Sequence, residues 1–150
     1  MTNKSRIIQF WGLCDLLLIA WWISRTLIQG NIPIFYEIKT ALKTSSSFGN
    51  HWPLIATMMG LTLYFSIIYS GKLLIQQNPR AAIVTYIQTP FRFIAATPSL
   101  FFATWPISYF ISDYKQILIA GIIIVSMSEV AKLASIIPWH MNIKKNLITK

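Results

Sequence analysis

Charge is scarce in this chain. Charged residues fill 11% of its 150 positions, against roughly 25% in a soluble globular domain. That is too few to clothe a water-facing surface. Only four residues are acidic, against thirteen Lys and Arg. Cysteine occurs once, at Cys14, which excludes an intrachain disulfide. The two histidines, His51 and His140, stand far apart, and no group of Cys, His and carboxylates has ligand spacing. No metal and no cofactor is therefore expected. The GxSxG elbow, the HExxH helix, the glycine-rich phosphate loop and the Walker lysine are all missing. The sequence thus offers no catalytic constellation.

What it has instead is apolar length. Hydrophobic residues make up 55%, with six Trp, six Tyr and nine Phe suited to membrane interfaces. Four apolar stretches, 7–28, 53–77, 91–111 and 116–137, approach the ~20 residues that a helix needs to cross a bilayer. The reading is an all-α integral membrane protein: one domain of four transmembrane helices. The first stretch is too long for a signal-peptide core and lacks a small-x-small cleavage site, so it is read as an uncleaved span. Leu13 stands where lipidation of Cys14 would need a small residue, and lipidation is not expected.

Two short amphipathic interfacial helices are expected beside the spans. One lies near 33–43, where Ile34, Phe35, Ile38 and Leu42 recur at helical spacing. Ser45, Ser46, Ser47 and Gly49 then read as a flexible turn before Trp52 and Pro53 open the second span. The region 81–111 is too long for one simple crossing and contains Arg92. It divides into an interfacial helix at 81–88 and a span at 91–111. Pro138 and Trp139 are read as the end of the fourth span.

The net charge of +9 would suggest nucleic acid in a soluble protein. Here the basic residues flank apolar runs, which points to lipid headgroups and topology, with no nucleic acid. One side collects eight, Lys4, Arg6, Lys72, Arg80, Arg92, Lys144, Lys145 and Lys150. The other collects four: Arg25, Lys39, Lys43 and Lys115. Both termini are expected in the cytoplasm, in a multi-pass protein of a cell membrane, most naturally a bacterial inner membrane. Arg25, Lys72, Arg80, Arg92, Lys144 and Lys145 are assigned to headgroup contacts.

Ionisable residues inside spans are costly and carry the functional question. Asp15 lies eight residues into the first span. Glu129 and Lys132 approach the end of the fourth, three residues apart on one helix face. At 1.5 Å per residue all three reach similar depth, roughly 8–12 Å above the cytoplasmic boundary. Asp15 is expected to meet Lys132 or Glu129, as a pair that fixes helix register in preference to a proton or ion path. Pro90, Pro98 and Pro106 recur every eight residues and are read as kinks in a bent third span. Ser128, Ala131 and Ser135 form a small-residue helix-packing face.

In size and topology the chain is similar to small bacterial four-span proteins, among them immunity proteins against pore-forming toxins. That likeness is of shape and rests on no residue. The expected function is a non-enzymatic membrane subunit that binds other membrane proteins or copies of itself. The alternatives are a small oligomeric channel or proton-coupled component built on Asp15, Glu129 and Lys132, an immunity or defence protein, and, lowest, a lipid-handling enzyme using the same carboxylates.

Overall fold

Long runs of Leu, Ile, Trp and Phe without proline favour uninterrupted helix. The computed structural model, which describes residues 3–95 and 114–148, is helical in every regular element. The helices are α1 (Asn3–Ile28), α2 (Pro33–Phe48), α3 (Trp52–Ile75), α4 (Arg80–Ala95) and α5 (Tyr114–Ile148). Three contain segments long and apolar enough to cross a membrane: Ser5–Ile28, Trp52–Ile75 and Ile119–Met141. This is the make-up of a helical membrane protein. Most of the expected span 91–111, with Pro98 and Pro106, lies outside the described residues.

Tight reversals separate the first four helices. Gly30 and Gly49 take left-handed backbone at φ 73° and 60°, which glycine adopts without steric cost. Behind each, the next amide reaches back to close the helix end: Asn31 N–H donates to Thr26 O and Asn50 N–H to Ser45 O. Gln77 makes the same turn at φ 55° despite its side chain. The expected flexible turn at Ser45–Gly49 is shorter than read. Ser45, Ser46 and Ser47 are helical, and the Ser46 and Ser47 hydroxyls both donate to Lys43 O. Serine competes with the backbone in many contexts, but these hydroxyls bond backward along the helix and leave it intact.

α1 and α3 run antiparallel and touch through backbone. A Cβ built on Gly12 would lie 2.7 Å from Gly71 O, and one on Gly71 would lie 3.2 Å from Gly12 O. Only glycine permits this approach. Gln9 Nε2 donates to Ile75 O at one end of the crossing, and Leu18, Ile19, Leu63 and Ile67 fill the other. The second span is therefore the main packing partner of the first.

α4 corrects the expected division of 81–111. The helix runs unbroken through Pro90 to Ala95 and does not stop at residue 88. Its inward positions are Ala81, Ala82, Thr85, Gln88, Thr89 and Arg92, while Ile83, Ile87, Phe91 and Ile94 face outward. α4 is thus packed into the bundle by its more polar side. Similarly, α5 continues through Pro138 to Ile148, so that proline does not end the helix. Trp139 is buried in the core with Ile8, Trp11, Leu73, Leu74, Ala81, Ala82 and Ile136. That cluster gathers the start of α1, the end of α3, the start of α4 and the later part of α5 at one end of the bundle.

Candidate functional site

Antiparallel packing of α1 and α5 brings their charges level. Lys132 Nζ lies 2.6 Å from Asp15 Oδ2. The structure adds a fourth member that the sequence reading put elsewhere: Arg92, from α4. Its Nη2 lies 3.0 Å from Asp15 Oδ1 and its Nη1 3.5 Å from Glu129 Oε1. Asp15, Arg92, Glu129 and Lys132 are all completely buried, at 0% exposure.

The formal charges balance, two negative against two positive. An isolated charge is far too costly to hold in an apolar interior, whereas paired and hydrogen-bonded charges are tolerated. Asp15 is the hub, with one oxygen toward each cation. The guanidinium suits a bridging role because its planar fork presents two nitrogens to two carboxylates at once. Chemically the arrangement is a closed ion cluster joining three helices.

Arg92 was assigned to headgroups, and that is corrected: it is buried in the cluster. The signal for it was present. Two carboxylates and one ammonium leave one negative charge uncompensated, which apolar surroundings do not allow. Arg92 also continues the stripe of Thr85, Gln88 and Thr89 at helical spacing.

A second polar seam joins α3 to α4. Gln88 Nε2 donates to Ser66 Oγ at 2.8 Å, and Ser70 Oγ donates to Gln88 Oε1 at 3.0 Å. Thr89 Oγ1 donates back to Thr85 O. The apolar look of α3 in sequence concealed these serines, since isolated Ser in a span is common.

The remaining sequence-picked residues disperse. Arg25, Lys72 and Arg80 are exposed, as a headgroup contact requires, and the side chains of Lys144 and Lys145 lie outside the described residues. Of the small-residue face, Ser128 is buried, Ala131 exposed and Ser135 half-buried, and the close helix crossing among the described residues is that of Gly12 and Gly71. Pro90 sits on the exposed side of α4. His140 packs edge-on to Tyr86 with centroids 6.3 Å apart, at the opposite end of the bundle from His51. Trp21 is exposed, but Trp22 is drawn inward, 4.7 Å from the Tyr64 ring, and donates to Glu37 Oε1 at 3.4 Å. No protein-family model matches the chain, and no curated protein or solved structure matches it.

Proposed function

We propose that the chain is a non-enzymatic four-span membrane protein that works as a helical subunit. It docks, in the plane of a bacterial inner membrane, onto other membrane proteins or onto copies of itself, with both termini cytoplasmic. The observation that carries this reading is the neutral, fully buried cluster of Asp15, Arg92, Glu129 and Lys132. A proton carrier needs a carboxylate that can exchange with water, and an acid–base catalyst needs one that can meet a substrate. These carboxylates are engaged by fixed cations and have no exposure. The cluster fits a role in holding helices in register. The outer faces of α1, α3 and α5 are apolar and suit lipid or a partner helix.

Parity supports the proposed fourth crossing. The end of α3 and the start of α4 share one end of the bundle with Ile136 and Trp139 of α5. α5 is 35 residues, about 52 Å long. Its beginning therefore belongs to the opposite end, which supports a crossing between the start of α4 and the start of α5. This favours a third crossing that starts in α4, ahead of residue 91.

The test is gentle extraction into native nanodiscs followed by native mass spectrometry. A stoichiometric co-purifying membrane protein or a defined oligomer is expected. A clean monomer with nothing bound would overturn the subunit reading. In parallel, proteoliposomes with an internal pH dye should acidify no faster than empty ones. Proton flux that disappears in Asp15→Asn would put the channel reading in its place.

A further inference from the structure

Of the four acidic residues, Asp15 and Glu129 are locked in the ion cluster and Asp113 lies outside the described residues. The fourth, Glu37 on α2, has no cation within salt-bridge distance among the described residues. Its hydrogen-bond partner is the Trp22 indole N–H, at 3.4 Å. Glu37 lines an open cavity of about 200 Å³ between α2 and α3. Thr57, Gly60 and Tyr64 of α3 and Ala95 of α4 border the same space. Tyr64 is in turn packed at 4.7 Å and 35° against the Trp22 ring. An acid, the electron-rich ring of Tyr64 and an open volume therefore converge at one place, with Trp22 holding the acid by its N–H and tilted against the Tyr64 ring.

That combination is complementary to an organic cation. A carboxylate supplies the charge-assisted hydrogen bond, and aromatic faces attract an ammonium through their quadrupole. In a chain of net charge +9, Glu37 differs from Asp15 and Glu129 in having no ion pair among the described residues. The open cavity has room for an alkylammonium of a few heavy atoms. Thr57 lies five residues into α3, about 8 Å from its start.

We propose that Glu37, Trp22 and Tyr64 form a binding site for a small primary ammonium group, presented either by a dissolved amine or by the headgroup of an aminophospholipid. Glu37 and the Tyr64 ring take the positive charge, Trp22 holds both in place, and the open space beside Gly60 receives the alkyl portion.

The experiment uses the full chain in nanodiscs of phosphatidylglycerol alone, titrated with ethanolammonium chloride and followed by tryptophan fluorescence. The lipid arm measures, by native mass spectrometry, how much phosphatidylethanolamine stays bound after release from mixed vesicles. Wild type should bind saturably in at least one arm, and which arm responds identifies the source. Glu37→Gln should bind about tenfold more weakly or worse, since a hydrogen bond to a charged group is lost. Gly60→Leu is the second variant. A Cβ at Gly60 meets nothing within 4 Å, so the new side chain fills the cavity while Glu37 stays in place. It should also abolish binding, with the thermal transition at or above that of wild type. Absence of saturable binding in both arms, or binding that survives Gly60→Leu, would overturn the proposal.

Discussion

Replacing Asp15 by Asn removes one charge from the buried cluster and almost nothing else. The carboxylate faces Lys132 at 2.6 Å and Arg92 at 3.0 Å. At an effective dielectric of about 20, each contact represents about 6 kcal/mol of gross attraction, most of it offset by the desolvation of the ions. The variant leaves Arg92 and Lys132 with Glu129 alone, a net positive charge at 0% exposure. Breaking a buried pair in this way costs about 3–5 kcal/mol. A second substitution, Lys132→Met, restores neutrality by leaving Arg92 with Glu129 at 3.5 Å. The double variant should be no less stable than Asp15→Asn alone, with a coupling of about 2–3 kcal/mol between the sites. The assay is reversible unfolding in mixed micelles, titrating dodecyl sulfate into dodecyl maltoside and following helicity by circular dichroism. Additive costs in the double variant, or an Asp15→Asn cost within about 0.5 kcal/mol of zero, would refute a sealed, charge-balanced cluster.

Two further outcomes are expected. Gly12→Ala drives a methyl to 2.7 Å from Gly71 O and should destabilise by about 1–3 kcal/mol, whereas Gly60→Ala enters open space and should stabilise by up to about 1 kcal/mol; the same unfolding titration reads both, and equal signs would count against the close α1–α3 crossing. In a Cys14→Ala background, single cysteines at Ser47 and Lys115 should react with an impermeant maleimide from one face of sealed vesicles and a cysteine at Lys72 from the other, while reaction of Lys115 from the Lys72 side would remove the crossing between α4 and α5.

The helical class and the three clearest spans were legible because apolar length and composition are local properties of the chain. The meeting of the charges was legible too: counting residues from the span ends was enough to bring Asp15 level with Glu129 and Lys132, and Lys132 is the residue that Asp15 meets most closely. Arg92 was misassigned because a positive charge beside an apolar run has two stable destinations, the headgroups and a buried carboxylate. Only the charge sum over non-local neighbours separates them. The Gly12–Gly71 crossing was missed for a related reason. Each glycine alone is unremarkable in a span, and their meaning lies in being opposite one another, 59 positions apart. Pro138 was overread as a boundary, since a proline inside a packed helix forfeits one backbone hydrogen bond without ending it.

α4 turns its polar side into the bundle, and the reason bears on how this bundle holds its register. Periodicity locates a polar side and an apolar side but says nothing about which of them meets solvent. In water the apolar stripe turns inward. Were α4 set in hydrocarbon, lipid would accept Ile83, Ile87, Phe91 and Ile94 at no cost, and the polar side would have to find partners inside. Lipid tails are as apolar as leucine, so the outer face of α4 is indifferent to a slip along the bundle. The inner face is not. A slip of one turn, 5.4 Å, would carry Arg92 out of reach of an Asp15 oxygen now 3.0 Å away and would part Gln88 from Ser66 and Ser70 together. The hydrogen bonds contribute little apiece, about 0.6 kcal/mol in membrane interiors, so the ion cluster supplies the larger penalty. The polar minority of this chain, concentrated where three helices meet, therefore selects one alignment among many that its apolar majority would accept.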